Sequence, residues 1–234
     1  MIALQSYMIA TSNEQRLLAQ AETIFDLVWR TDFTLPGFCL VDAGQGVDSH
    51  TLRSWMVALK RRLSEAAIRR GRMPFAYRSM GRFDQQVTTK LHLDGAPSQS
   101  LLMLGYEPSN VRSRLFLADY THAAFDLGIS PQEFLEDYNP MYRKGEETLA
   151  PYITELPQPE EGSSSILLIN NSSLPFSEER TNPLGVMHKA EIVDPNESEP
   201  RIINSTMIVT GEDEINLAQQ QAFIDTDQIS KKAY

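Results

Sequence analysis

Cysteine occurs once in the 234 residues, at Cys39, which excludes an intrachain disulfide framework and any cysteine-based metal site. Set in the apolar stretch GFCLVD, it is expected to behave as a small buried hydrophobe. No apolar run approaches the roughly twenty residues that cross a bilayer, so no membrane partner is expected. The opening MIALQSYMIATSNEQ lacks the basic start and cleavage site of a secretion signal, and the expected location is the cytoplasm. Positive charge is scarce: 21 Lys and Arg against 31 Asp and Glu give a formal net charge of −10, and phosphate backbones would be repelled. The one dense basic stretch, KRRLSEAAIRRGR at 60–72, spreads its Arg residues around a helix and is expected to be a solvated face rather than a nucleic-acid site. Glycine-rich phosphate loops of the G-x-x-x-x-G-K-[ST] or G-x-G-x-x-G kind are missing, as is the G-x-S-x-G of a nucleophile elbow. Doubly wound nucleotide folds and serine hydrolases are therefore disfavoured.

What is present falls into a helical part followed by a strand-rich part. Residues 12–30 place Leu17, Leu18, Ala21, Ile24, Phe25 and Val28 at helical spacing behind a polar cap and predict one amphipathic helix. A second helix is predicted over 48–70, capped by Asp48 or Ser49 and ended by Gly71. GFCLVD between them is a strand candidate. After Gly71 the texture changes to short strands near 75–79, 85–93, 100–106 and 114–120, then a helix at 130–138 with Ser130 as cap and Pro131 in the first turn. Strands follow at 164–171, 185–193 and 201–210, joined by the polar loops PQPEEGSSS, SEERTNP and DPNESEP. Helices first and then a run of antiparallel strands predict an α+β, mainly β chain: a single domain with helical support over 1–72, a double-stranded β-helix, or jelly roll, over 73–210, and a tail over 211–234.

The chemistry gathers around KLHLDGAP at 90–97. In a strand, Lys90, His92 and Asp94 would share one face at steps of about 6.6 Å, so an imidazole and a carboxylate could reach one point. A third ligand has to come from the other histidines. His50 opens a helix, where a capping role suffices, and His122 follows a strand end. His188 lies in GVMHKAEIV with Val186, Ala190 and Ile192 on its face, where an imidazole needs a partner for its nitrogens and a hydrogen-bonded core histidine is the plain reading. Thirteen residues on, Arg201 opens RIINSTMIV and shares its face with Ile203, Ser205 and Met207. A buried guanidinium there calls for a carboxylate, and an internal acid would do.

In combination, His-x-Asp, then after a long interval a strand His, then an Arg thirteen residues later, resembles the Fe(II)/2-oxoglutarate-dependent oxygenase superfamily over residues 75–210. LHLDG looks like its first metal motif and GVMHKAEI like its second. The resemblance implies a jelly roll, with His92, Asp94 and His188 as a facial triad that leaves three positions on Fe(II) open. It further implies bidentate binding of 2-oxoglutarate, whose oxidation to succinate and carbon dioxide accompanies hydroxylation, desaturation or cyclisation of a substrate. Arg201 would hold the distal carboxylate. The family's frequent Ser two residues after that Arg is Ile203 here, with Ser205 two further on, and Lys90 is a rival anchor. Thr88, Tyr106 and Asn170 are candidate pocket residues: Thr88 shares the His92 face, Tyr106 carries a hydroxyl at a strand end, and Asn170 ends an apolar strand.

Two other readings use the same residues. A cupin-like metal enzyme would need no 2-oxoglutarate and would free Arg201 for substrate. A non-enzymatic jelly-roll binding protein would keep both histidines as structural groups. Expected partners are a small-molecule or protein substrate, neither nucleic acid nor membrane, and the apolar N-terminus has a choice between packing on the barrel and packing in a homo-oligomer.

Overall fold

Helix α1 (Glu14–Ala19) begins where the sequence predicts, the Asn13 side chain accepting from the Arg16 N–H at 2.9 Å, in a computed structural model that describes residues 7–211 and 215–231. The single helix expected over 12–30 is two. At Gln20 the backbone leaves helical geometry (φ −91°, ψ 1°) and α2 (Ala21–Val28) restarts. The bend lets Leu17 and the Ala21, Ile24, Phe25, Val28 stripe enter one core together. Helix α3 (Ser49–Arg69) is as predicted, capped by the Asp48 carboxylate on the Thr51 N–H at 2.7 Å and followed by Gly71 at φ 69°, a left-handed conformation that glycine adopts without cost. The basic stretch on it is a paired surface: Arg69 and Arg70 reach Glu22, Arg70 also reaches Asp26, and Arg62 meets Glu65 at 2.9 Å.

Among the described residues, the strands β1 (Met8–Ala10), β2 (Phe38–Gln45), β3 (Phe75–Asp84), β4 (Ser100–Tyr106), β7 (Ser163–Asn170), β9 (Ile202–Thr210) and β10 (Ser230–Lys231) make one sheet in the order β1-β2-β7-β4-β9-β3-β10. A smaller sheet runs β6 (Ile153–Glu155), β5 (Arg112–Ala118), β8 (Met187–Asp194). The central pairings are antiparallel, with Leu102 opposite both Ile169 and Met207 and Leu117 opposite His188. Strand β4 shows why the large sheet is apolar on both faces. Leu101 and Met103 face α1, α2 and α3, whereas Leu102 and Leu104 pack with Leu117, Leu156 and Val186 from the side of the small sheet. Cys39, on β2, packs toward the helical layer and is fully buried, its thiol pushed up to about 12 by burial.

Residues 85–93, expected as a strand, form no regular ladder. The segment still runs beside β8, held by main chain and side chains together: the Thr89 N–H donates to the Ala190 carbonyl at 2.9 Å, the Thr89 and Thr88 hydroxyls accept from the Ala190 and Ile192 N–H groups at 3.0 and 2.9 Å, and His92 exchanges a pair of main-chain bonds with His188. Further differences are local. Beyond β5 the chain turns at Asp119, whose carboxylate caps α4 (Tyr120–Asp126), so the strand expected to reach Tyr120 stops at Ala118. Helix α5 (Pro131–Asp137) has the predicted Ser130 cap, completed by Glu133. Helix α6 (Arg143–Leu149) and, within the expected tail, α7 (Leu217–Asp225) add to the helical content. At the N-terminal end Tyr7 packs against Phe38 with ring centroids 5.0 Å apart, and residues 1–6 lie outside the described residues. No helix among the described residues is long and apolar enough to cross a membrane.

Candidate metal centre

His92 and His188 meet as backbone partners. Each N–H donates to the other's carbonyl, at 3.1 and 3.0 Å, the hydrogen-bonded type of antiparallel pair, which sets their Cα atoms about 5.5 Å apart. Their rings lie with centroids 4.3 Å apart. Asp94 follows two residues later, its carboxylate 3.4 Å from His92 Nε2. One ligand atom from each of His92, Asp94 and His188 lies within 4.8 Å of the others. Atoms bound about 2.1 Å from one ion at right angles are about 3 Å apart, so small side-chain rotations close the set on a single ion. Two imidazoles and one carboxylate suit a divalent transition metal and leave open positions.

The groups behind these candidate ligands orient them. His92 Nδ1 stands 2.7 Å from the Lys90 carbonyl. A carbonyl only accepts, so Nδ1 of the neutral ring carries the proton and Nε2 keeps its lone pair for the centre. Asp94 is held through its backbone: the Asn171 side-chain oxygen accepts from the Asp94 N–H at 2.9 Å, and its nitrogen donates to the Asp94 carbonyl at 3.0 Å and to Ser100 Oγ at 3.1 Å. Asn171 is 3% exposed. Sequence reading selected its neighbour Asn170 instead. The Asn-Asn pair at the end of an apolar strand was the available signal, and the choice between the two needed the strand's exact end.

A cavity of about 60 Å³ holds the three residues together with Tyr106, Ser205, Thr89, Gln85 and Ala190. Tyr106 and Ser205 are thus at its wall, whereas other residues named from the sequence are not. Lys90 is exposed, ion-paired with Glu146 at 3.3 Å, and borders a different depression. Thr88 is exposed and spent on the β8 backbone. Asn170 points to the helical layer, donating to the Val28 carbonyl at 3.1 Å. The irregular backbone of 85–93 explains the first two, since alternation assigns faces only in a regular strand. His50 pairs with Asp225 at 3.2 Å on the surface, and His122 stacks on Phe33 with centroids 4.5 Å apart, in α4 rather than at a strand end.

Arg201 immediately precedes β9 and is 4% exposed. Its Nε donates to Ser113 Oγ at 3.0 Å and its Nη1 to the Gln85 carbonyl at 3.1 Å, and the guanidinium lies 5.2 Å from the centre of the Tyr106 ring. Among the described residues it makes no ion pair with an internal acid. Burial lowers its pKa against the opposing pull of Tyr106 and of the Asp84 carboxylate, which accepts from the Arg201 backbone N–H at 2.9 Å, and burial raises that of the Tyr106 phenol. Arg201 borders a second cavity, of about 580 Å³, and Tyr106 borders both.

No protein-family model matches the chain, and no curated protein matches it in sequence. Among solved structures it is similar to a crystal structure of asparagine oxygenase, with TM-score 0.44 and 9% identity over 88% of this chain and 94% of that one. It is also similar to a structure of asparagine oxygenase in complex with Fe(II), 2S,3S-3-hydroxyasparagine and succinate, with TM-score 0.41 and 8% identity over the same shares.

Proposed function

We propose that this chain is an Fe(II)- and 2-oxoglutarate-dependent oxygenase that hydroxylates a small-molecule or protein substrate. One observation carries the proposal: His92, Asp94 and His188, of which the last is 94 residues from its nearest partner in sequence, converge on one small cavity with the donor set of a facial triad. The topology supports it. If 85–94 is counted as an irregular strand beside β8, the small sheet becomes a four-membered counterpart to β3-β9-β4-β7, and the two together read as a double-stranded β-helix with the histidines at one mouth. Fe(II) together with 2-oxoglutarate would supply dioxygen activation, driven by oxidative decarboxylation of the keto acid to succinate.

The residues of this chain have definable tasks in that reading. His92 enters with its tautomer fixed by the Lys90 carbonyl, and Asp94 with its backbone fixed by Asn171. Arg201, buried and in ion-pair contact with no acid among the described residues, would take the distal carboxylate of 2-oxoglutarate as a planar fork, with Tyr106 and Ser205 beside the path to the metal. Lys90, committed to Glu146 outside the cavity, does not compete for that task.

Anaerobic titration with Fe(II) and 2-oxoglutarate tests this. The expected result is the weak visible charge-transfer band of a chelated keto acid in the wild type, its loss in His188→Ala, and at least a tenfold higher 2-oxoglutarate requirement in Arg201→Ala. Metal binding without a band at any 2-oxoglutarate concentration would move the assignment to a metal enzyme of the cupin kind. Failure to bind metal at all would reduce the cluster to a histidine-aspartate contact.

A further inference from the structure

The larger cavity lies where Arg201 and Tyr106 close off the metal side. Its volume of about 580 Å³ is within the roughly 300–1,000 Å³ of small-molecule pockets, and the metal-side cavity of about 60 Å³ is far below it. Its walls come from β1, β2, the β4–β5 connection, β5 and the 157–162 loop, so one of the polar loops singled out in the sequence covers this cavity and not the metal.

Its charges are unequal. Glu107 is neutralised by Arg82, Nη2 to Oε2 at 2.9 Å, and Arg112 is spent on Asp194, Nε to Oδ2 at 2.7 Å. Arg201 keeps its charge at the buried end with no carboxylate in ion-pair contact among the described residues: its guanidinium meets the Ser113 hydroxyl, the Gln85 carbonyl and Tyr106, while Asp84 acts on it only through space and spends Oδ1 on the Arg201 backbone N–H at 2.9 Å. A guanidinium has five N–H donors, and a desolvated one without a carboxylate is costly unless a ligand supplies it. Of the remaining acids, Asp42 on β2 is half-buried and accepts from the Gly44 N–H at 2.9 Å, and Glu160 and Glu161 are exposed at the outer rim; all three would repel a second negative charge.

We propose that this cavity binds a small monocarboxylic acid with an apolar body, the carboxylate on Arg201 and the body against Met8, Leu40, Leu115 and Leu156. The rim acids select against dicarboxylates, which separates this ligand class from 2-oxoglutarate. Binding does not depend on the metal. Only one corollary rests on the function proposed above: because both acids would use the same guanidinium, the monocarboxylate competes with 2-oxoglutarate without touching the metal ligands.

Calorimetric titration of the metal-free chain with hexanoate, with glutarate as the dicarboxylate comparison, tests the assignment. Saturable 1:1 hexanoate binding is expected, unchanged in His188→Ala, weakened at least tenfold in Arg201→Gln and in Leu115→Trp, and at least tenfold stronger than glutarate binding. Should Arg201→Gln fail to fold, Leu115→Trp decides, since it fills the cavity from a half-buried position. Absent hexanoate binding, binding indifferent to the cavity substitutions, or glutarate binding as tight as hexanoate would each overturn the proposal. All these readings stand whether or not the iron titration produces its band.

Discussion

At the residue scale, the positions that matter most are those whose neighbours leave them one conformation. Asn171 is such a position, closing a two-point clasp on the Asp94 backbone from a buried site. Asn171→Ala is expected to weaken Fe(II) binding by about 10- to 100-fold, the usual effect of removing a group that orients a ligand, in a metal titration, with a stability loss of about 1–3 kcal/mol for the unpaired buried groups. Glu107 makes a pH-dependent contribution. Burial alone would raise its pKa, but hydrogen bonds from Arg82, Ser49 and Asn204 outweigh it and hold the carboxyl below its ordinary value. A pKa lower folded than unfolded means stability present above about pH 4.3, the unfolded value, and lost as pH falls through the folded value. Urea midpoints measured from pH 7 down to 3 should therefore fall less steeply in Glu107→Gln than in the wild type. The sequence disclosed His92, Asp94, His188 and Arg201 as residue types at suggestive intervals. It hid Asn171, because a clasp between side chain and backbone across 77 residues leaves no local pattern.

Among the elements, the connection from β7 to β8 decides where His188 lands. Gly185 passes directly under Ser172: a Cβ there would stand 1.9 Å from the Ser172 carbonyl oxygen, the atom that also accepts from Tyr120 at 2.7 Å. Gly185→Ala is expected to cost about 3 kcal/mol, the upper end of overpacking penalties, in the denaturant midpoint, and to impair metal binding three residues away. Element types were legible wherever a periodic stripe met a cap, as in α3 with Asp48 and α5 with Ser130. They were obscured where tertiary partners took over. Gln20 breaks a continuous helical pattern because both pieces must reach the same core. The 85–93 segment keeps its place beside β8 through threonine hydroxyls that no alternation rule anticipates.

On the scale of the whole molecule, the large sheet is covered on both faces, by α1–α3 on one side and the small sheet on the other. Amide hydrogen exchange should accordingly be slowest in β4, β7 and β9, with α6 and the 157–162 loop among the first to open; comparable rates in these groups would contradict a core built on the central strands. The two layers are stitched by Arg30, whose guanidinium holds the Asp119 carboxylate at 2.7 and 2.5 Å and also reaches the Leu35 and Leu184 carbonyls. The general plan, a mixed chain with helices early and strands predominating after them, could be read from the order of patterns along the chain. The second cavity could not, because its walls are assembled from five separate stretches. One consequence follows from the main-chain bridge between His92 and His188. Since peptide groups rather than an ion fix the spacing of the two imidazoles, a metal bound as proposed would find both rings already side by side and need only side-chain rotation to seat. Folding would then proceed without it, a chelator would strip it without unravelling the chain, and different divalent ions would exchange through one unaltered scaffold.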